Sequence, residues 1–270
     1  MLGNFNAMVD HISDGILYVL DGVEPGTVSV PDTAVATIAG NDDVMLVGMS
    51  TAIIDADADG FNDLLVGVPG APLEGAAALF LGPVNGYYNY DEGDVTIWGE
   101  VEYGLAGEGV HNLGDANDDG VDDMLITDPQ ARNGAAYVVW GGGTLPTTLA
   151  DADLTFRNSD SSRIFGSFSA ALGDLNGDGA VDFYIAESGD RPCANHLFFG
   201  PFDTAGVYAE TDHAVLLRTT GDSECYVETA LNIGDQSGDG ANDLLIGSPL
   251  HTVGSTSAAG IAYIIPGYGW

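Results

Sequence analysis

The sequence contains no lysine, and its only basic residues apart from histidine are five arginines. Against these stand 41 aspartates and glutamates, which give a formal net charge of −36. Proteins that bind nucleic acid neutralise its phosphates with Lys and Arg, so this balance argues against a nucleic-acid partner. It argues equally against an anionic membrane surface. No apolar run reaches the roughly 18–20 residues needed to cross a bilayer, so membrane insertion is not expected.

Signal-peptide features and amphipathic helical stretches are also missing. The first residues carry neither a basic segment nor an apolar core, so we expect that an export signal was removed or that the chain is a piece of a longer protein. Glycine, by contrast, is abundant, with 39 residues in 270. Because glycine inside a helix costs ~1 kcal/mol relative to alanine, this content favours strands and frequent turns. The 45% hydrophobic content is enough for a sizeable core.

A nine-residue acidic pattern occurs four times, with first residues 60, 59 and 61 positions apart. In each copy, oxygen-bearing side chains stand at positions one, three and five, glycine at position six and aspartate at position nine. The copies are Asp55–Asp63, Asp115–Asp123, Asp174–Asp182 and Asp235–Asp243. A repeat of this regularity indicates a serial architecture.

The repeat predicts β-propeller blades. Each nonapeptide is followed by a short apolar run, then by a second run beyond a loop, then by a more polar alternating segment. These segments are too short for helices and are bounded by Gly and Pro, so each unit reads as four antiparallel strands. Four-stranded units in series are propeller blades. We expect three full blades and two incomplete terminal ones, with approximate units 1–40, 41–100, 101–159, 160–220 and 221–270. The chain would then be a fragment of a larger propeller or a ring that closes in an unusual way.

The nonapeptide is a predicted calcium site. Side-chain oxygens at positions one, three and five, a carbonyl at position seven and an aspartate at position nine form a hard oxygen cage, with glycine supplying a left-handed corner. Its flexibility suits Ca²⁺ better than Mg²⁺, which demands an octahedron. An EF-hand is excluded because its twelfth position would be Val or Ile and the flanks are strands. The predicted ligands of the four sites are Asp55, Asp57, Asp59, Phe61, Asp63; Asp115, Asn117, Asp119, Val121, Asp123; Asp174, Asn176, Asp178, Ala180, Asp182; and Asp235, Ser237, Asp239, Ala241, Asp243.

The segment from Phe165 to Asp182, with Gly67-Val-Pro69 and Gly247-Ser-Pro249 in other units, resembles the FG-GAP repeat of integrin alpha-subunit β-propellers and of many bacterial surface proteins. The resemblance covers nearly the whole chain. It implies that the calcium loops join the first two strands of each blade on one face. The third unit departs from the pattern, with Ala186-Glu-Ser188 where Gly-x-Pro is expected.

Other chemistries have weaker support. Five histidines (His11, His111, His196, His213 and His251) show no metal-binding spacing, and no nucleophile elbow or phosphate-binding glycine loop occurs. Tyr87, Tyr88 and Tyr90 fall in an expected loop, where they could stack on a sugar or form a plain turn. The leading interpretation is a non-catalytic extracellular or cell-surface adhesion module that binds protein or carbohydrate on the face opposite the calcium loops. The alternatives are a non-catalytic propeller domain of a larger secreted enzyme and a propeller that acts on polysaccharide.

The two cysteines are predicted to form a disulfide. Cys193 falls between the second and third strands of its blade, and Cys225 in the link to the next blade. In an up-and-down blade both connections emerge on the face opposite the calcium loops, so a Cα separation of ~4.4–6.8 Å is attainable. The alternative is two separate buried thiols.

Overall fold

The computed structural model describes residues 2–4, 14–22, 26–27, 29–159, 163–189, 194–202, 206–218, 229–249, 251–253 and 255–267. Within these ranges the regular secondary structure consists mainly of strands: β1 (Leu2–Asn4), β2 (Ile16–Leu20), β3 (Ala34–Ala39), β4 (Thr51–Ile54), β5 (Asp63–Val68), β6 (Ala76–Phe80), β7 (Gly86–Asn89), β8 (Val95–Trp98), β9 (Gly109–Gly114), β10 (Asp123–Asp128), β11 (Ala135–Val139), β12 (Leu154–Arg157), β13 (Arg163–Gly173), β14 (Asp182–Gly189), β15 (Ala194–Phe199), β16 (Gly206–Ala209), β17 (Val215–Arg218), β18 (Thr229–Asn232), β19 (Leu244–Ser248) and β20 (Ile261–Ile265). One short helix, α1 (Val30–Thr33), and three 3₁₀ turns (Tyr90–Glu92, Leu149–Asp151 and Glu210–Asp212) accompany them. No helix in these ranges is long and apolar enough to cross a membrane.

The strands form five sheets in chain order, which are the blades of a β-propeller. Blades two, three and four each contain four antiparallel strands from one unit, in the orders β4-β5-β6-β8, β9-β10-β11-β12 and β13-β14-β15-β17. Blade one has β1, β2 and β3, and blade five has β18, β19 and β20 in the described residues. The predicted all-β fold of four-stranded antiparallel blades is confirmed, and the division of the chain into repeat units remains a prediction.

Two strands leave their own unit and extend the preceding blade. β7 follows β6 of blade two but pairs in parallel with β3 of blade one. β16 follows β15 of blade four and pairs in parallel with β12 of blade three. A parallel bridge between Trp98 and Thr148 makes the same connection between blades two and three. The segment between third and outer strands therefore fastens each of these blades to the one before it.

The tyrosines expected in a loop lie partly on one of these fastening strands. Tyr87 and Tyr88 belong to β7, and only Tyr90 lies beyond it, in a 3₁₀ turn. The Tyr88 ring packs edge-on against Phe80 at a centroid distance of 5.7 Å, and Tyr90 is buried. The loop interpretation was wrong because the partner strand β3 lies some 50 residues upstream, beyond the reach of a local pattern.

Hydrophobic cores lie between successive blades. Strand residues alternate in direction, so one face of a blade packs on its predecessor and the other receives its successor. Blade two, for example, directs Leu64 and Val66 toward blade one, and Leu65 and Leu79 toward blade three. The same alternation continues through blades three, four and five. A blade cannot bury both faces alone, which explains the serial arrangement.

Blade five has an exposed far face. Cross-strand neighbours Leu231, Leu245 and Ile264 occupy the positions that in blade two are Ala52, Leu65 and Leu79. Leu65 and Leu79 are fully buried, whereas Leu231 is 50% and Ile264 58% exposed. This face therefore receives no following blade within the described part of the chain.

Cys193 and Cys225 lie outside the described residues, so the disulfide remains a prediction.

Candidate metal centre

The four acidic nonapeptides occupy equivalent places in four blades. They connect β4 to β5, β9 to β10, β13 to β14 and β18 to β19, so each joins the innermost strand to the second. Because these strands run in the same sense in every blade, the loops emerge at one face, as the resemblance implies. The second strand of each of these blades begins at the ninth-position aspartate or at the residue after it, as predicted.

Two left-handed residues shape each loop. The predicted glycine corner at position six is confirmed, with φ between 84° and 94° at Gly60, Gly120, Gly179 and Gly240. Position four is left-handed as well, at Ala58, Asp118, Gly177 and Gly238. The added Cβ at these glycines would meet no atom within 4 Å, so backbone conformation and not space selects glycine there. In the sequence, this second left-handed position was indicated by the glycine at position four in two of the four copies.

Side chains at positions one, three and five turn inward onto the loop backbone. In the second loop, Asp115 Oδ2 accepts a hydrogen bond of 2.8 Å from the Gly120 N–H, and Asn117 Oδ1 accepts one of 2.9 Å from the Asp119 N–H. Asp119 Oδ1 in turn accepts one of 2.9 Å from the Val121 N–H. The other loops repeat the contacts of positions one and five. These hydrogen bonds orient the side chains at positions one, three and five without a bound ion.

The ninth-position aspartate is the most enclosed member of each loop. Asp63, Asp123, Asp182 and Asp243 are all fully buried. In the second loop, Asp123 Oδ2 accepts a bond of 2.7 Å from the Ala116 N–H, and Oδ1 accepts one of 2.9 Å from the Gly141 N–H beyond the third strand. The corresponding distal donors are Gly82, Gly200 and Gly267. The ninth-position aspartate therefore connects its loop to the backbone just beyond the third strand of the same blade.

Burial also changes the acidity of these aspartates. It raises the pKa of Asp123 and that of Asp182 to about 6, although backbone hydrogen bonds oppose the rise. It raises the pKa of Asp63 as well. At Asp243, burial also raises the pKa, but hydrogen bonds from Gly267, Ser237 and Gln236 outweigh it and the net shift is downward. A cation beside a buried carboxylate favours its charged form and would offset the cost of burial.

The first and last loops bring three carboxylates together. Ligand oxygens of Asp55, Asp57 and Asp63 all lie within 4.8 Å of one another, as do those of Asp235, Asp239 and Asp243. Loops two and three place Asn at position three, and there the amide donates a 3.0 Å bond to the fifth-position aspartate. Thus the predicted carboxylates of positions one, three and nine meet in loop one, and those of positions one, five and nine in loop four.

One buried oxygen in the first loop has no protein partner. Asp55 Oδ1 is inaccessible to solvent and accepts no hydrogen bond, whereas its Oδ2 accepts one from the Gly60 N–H. A buried polar atom without a partner is costly unless something else satisfies it. The donor set is entirely oxygen, which is what Ca²⁺ prefers. The residues therefore fit a calcium ion, and the carbonyl contribution of Phe61, Val121, Ala180 and Ala241 remains a prediction.

Polar residues outside the predicted ligands connect neighbouring loops. Asp122 Oδ2 accepts bonds from the Asp55 N–H, at 3.2 Å, and from Asn112 Nδ2, at 2.8 Å. Asn242 Nδ2 donates a 2.9 Å bond to the carbonyl of Asp174. These residues, at motif position eight, were not among the predicted site residues. Asn112 and Asn232, each three residues before a first aspartate, were the available signal, since both also donate to the preceding blade.

Comparison with known proteins finds relatives of this chain. Integrin alpha-5 of Xenopus laevis is 28% identical over 162 residues, which cover 53% of this chain and 15% of the relative. Integrin alpha-PS3 of Drosophila melanogaster is 28% identical over 148 residues, covering 51% and 13% respectively. The chain is related to integrin alpha subunits. Integrin alpha-6 of Gallus gallus is 25% identical over 152 residues, covering 53% of this chain and 13% of the relative.

The relationship is limited in extent. The chain spans only 13–15% of the length of these integrin alpha subunits, and the matched residues are about half of the chain itself. No protein-family profile matches the chain. The relationship agrees with the propeller blades and with the FG-GAP resemblance of the repeats.

Proposed function

We propose that this chain is a calcium-stabilised, extracellular or cell-surface binding module of the adhesion type, and that it is not an enzyme. The observation that carries the proposal is the repeated loop of four successive blades, in which a buried ninth-position aspartate follows inward-turned side-chain oxygens, with three carboxylates within 4.8 Å of one another in the first and last loops. The unpartnered Oδ1 of Asp55 supports a cation in the first of them. The relationship to integrin alpha subunits supports the adhesion-type role.

Calcium would act as part of the fold. Of the 41 acidic residues, 15 lie in the four nonapeptides, where they repel one another without a cation. Each occupied site at a free calcium concentration of 100 times its dissociation constant would stabilise the folded state by about 2.7 kcal/mol. Loop one is hydrogen-bonded to loop two, and loop three to loop four, so this stabilisation would extend across those blade boundaries.

The face opposite the calcium loops carries features of a binding surface. Leu73 lies in the turn from β5 to β6 and Tyr103 in the link from β8 to β9, and both connections emerge on that face. Their side chains are 60% and 79% exposed. Both residues have left-handed backbones, with φ of 72° and 64°, and the Tyr103 N–H donates to the Leu73 carbonyl. Such strain in bulky residues is uncommon and concentrates at functional sites.

The ligand class can be tested with the calcium-loaded protein on arrays of extracellular proteins and polysaccharides. We expect saturable, stoichiometric binding without turnover, and loss of that binding in the double variant Leu73→Ser/Tyr103→Ser. The matched control is Val207→Ser, which removes a 71% exposed apolar side chain from the outer strand β16. Binding that survives the double variant but is lost in the control would contradict the proposed face.

The same screen separates the alternatives. Turnover of a polysaccharide would support the catalytic propeller in place of the binding module. An absence of binding to every array, together with full calcium stabilisation, would favour a structural propeller domain of a larger secreted enzyme. Both outcomes would overturn the adhesion role while leaving the calcium proposal to be judged separately.

A further inference from the structure

Blade four contains a buried cluster of two histidines and a glutamate that is not repeated among the described residues of the other blades. His196 lies on β15 and is 2% exposed, Glu187 lies on β14 and is 4% exposed, and His213 immediately follows the 3₁₀ turn Glu210–Asp212. The two histidines are 17 residues apart in the sequence, so their spacing gave no indication of a site. The fold places the Nδ1 atoms of the two rings 3.1 Å apart.

A third polar atom meets these two nitrogens. The main-chain carbonyl oxygen of Glu210 lies 3.1 Å from His196 Nδ1 and is also in contact with His213 Nδ1. The position of Glu210 is fixed by its side chain, whose carboxylate accepts bonds of 3.0 Å and 2.7 Å from the backbone N–H and the hydroxyl of Ser159 in blade three. Two imidazole nitrogens and one carbonyl oxygen therefore lie in contact with one another.

Glu187 lies next to the other ring nitrogen of His196, Nε2. Its Oε1 lies 3.4 Å from His196 Nε2, which is within ion-pair distance, but the contact lacks the geometry of a hydrogen bond and Nε2 has no hydrogen-bond partner. A carboxylate next to Nε2 favours a proton on that nitrogen when a metal ion takes the Nδ1 lone pair. Without an ion, the contacts among the two Nδ1 atoms and the Glu210 carbonyl require a proton on one of the two nitrogens. Histidines that bind metal ions characteristically have a carboxylate at the other ring nitrogen. The rings of Phe165 and Phe198 flank His196 at 5.4 and 6.2 Å and limit its rotation.

The cluster coincides with a departure of this blade from the repeat. By strand register, His196 occupies the position of Ala78 in blade two and Tyr137 in blade three. His213 follows its 3₁₀ turn where Gly93 and Ala152 follow theirs. Glu187 occupies the middle position of Ala186-Glu-Ser188, where blade two has Val68 and blade three has Asp128. The two histidines are therefore additions to a common framework.

We propose that His196, His213 and the Glu210 carbonyl bind one divalent transition-metal ion of the Zn²⁺ type, with Glu187 as the positioning residue. Two nitrogens that each lie about 2.0–2.1 Å from a tetrahedral zinc ion are about 3.3 Å apart, close to the separation between these rings. Imidazole ligands select Zn²⁺, Cu²⁺ and Ni²⁺ over Ca²⁺, so this site differs in chemistry from the oxygen loops. The rival arrangement is a hydrogen bond from His213 Nδ1–H shared by His196 Nδ1 and the Glu210 carbonyl.

The test uses the full chain in excess calcium, so that the acidic loops are saturated before Zn²⁺ is added. Calorimetry should detect one equivalent of Zn²⁺, and Co²⁺ should give the visible absorption of a nitrogen-liganded site. We expect His213→Ala to weaken Zn²⁺ binding at least tenfold, and Glu187→Gln to weaken it by about 10–100-fold. His251→Ala, which removes a half-buried histidine of blade five, is the control and should leave binding unchanged.

Histidine ¹⁵N spectra provide a second measurement that does not depend on affinity. Zn²⁺ should shift the Nδ1 resonances of His196 and His213 while Nε2 of His196 keeps its proton. His213 is half-buried, so its alanine variant is expected to fold, and unchanged calcium stoichiometry would verify this. Zn²⁺ binding that is equally tight in His213→Ala, or absent with spectra showing a Nδ1–H to Nδ1 hydrogen bond, would overturn the proposal.

Discussion

The carboxylate of Asp63 accepts a hydrogen bond of 2.7 Å from the backbone N–H of Gly82, 19 residues downstream. Its other oxygen accepts one of 2.8 Å from the Ala56 N–H inside the acidic loop. One buried side chain thus fastens the loop at the start of a blade to the chain beyond the third strand. The same double contact recurs at the ninth position of the other three loops, so this aspartate has a structural role in addition to its proposed role as a ligand.

This double role predicts a difference between two conservative variants. Asp63→Asn leaves only one accepting oxygen, and should destabilise the fold by about 1.5–3 kcal/mol even in a chelator, because a buried hydrogen bond to a charged group is lost. Asp57→Asn keeps the oxygen that accepts from the Asp59 N–H. Two natural loops carry Asn at this position, so its effect should be confined to calcium-containing buffer. Urea unfolding with and without calcium measures both, and equal losses in chelator would refute the structural role.

The exposed face of blade five predicts unequal costs at matching positions. Leu79 is fully buried against blade three, whereas the equivalent Ile264 is 58% exposed. Leu79→Ala should cost about 2–5 kcal/mol of unfolding free energy, as in other close-packed cores. Ile264→Ala should stay within about 0.5 kcal/mol, as at exposed sites. Denaturant titration of the two variants gives the comparison, and a cost at Ile264 similar to that at Leu79 would mean that this face is covered in solution.

Two half-buried groups near the inner strands should give opposite pH dependences. Burial lowers the pKa of His111 to about 4, so the unfolded chain, with an ordinary value of 6.5, takes up protons first as the pH falls. Burial, together with Asp128, raises the pKa of Glu108 to about 7 from an ordinary 4.5, so the folded chain holds its proton longer as the pH rises. His111 therefore costs stability toward low pH, and Glu108 costs it toward neutral pH.

Variants separate the two contributions. Relative to the parent, Glu108→Gln should gain stability as the pH rises from 4.5 to 7, and His111→Gln should gain stability as the pH falls from 6.5 to 4. Each change should be on the order of 1–3 kcal/mol, since one pKa unit corresponds to 1.36 kcal/mol. Unfolding free energies measured at several pH values in constant calcium provide the profiles. Parallel profiles for both variants and the parent would contradict the assignment.

Much of the fold was predictable because its signals are local. The apolar runs after Asp63 and Asp123 correspond to β5 and β10, and the spacing of the nonapeptides places one loop in each of four blades. The carboxylate clusters of the first and last loops lie at the predicted offsets, which a single turn of chain brings together. These features depend on contacts within about ten residues, where sequence and geometry correspond closely.

The features that were missed depend on contacts between blades. β7 pairs with β3 of the preceding blade, so its four residues carry no pattern of their own. His196 and His213 meet only because β15 and β17 are neighbours in one sheet. The uncovered face at Ile264 has the same alternation as the covered face at Leu79, so no local pattern distinguishes the two. Relationships of this kind require the three-dimensional arrangement.

The measurement that tests the account most directly is a calorimetric calcium titration of the chelator-treated chain, paired with thermal melts in calcium and in chelator. The account predicts about four calcium ions per chain and a melting temperature that rises with calcium, because the cation offsets repulsion among the loop carboxylates. Asp55→Asn, which alters the loop with the unpartnered buried oxygen, should reduce calcium binding in that loop alone. A melting temperature that is the same in calcium and in chelator, with no calcium bound, would contradict the account.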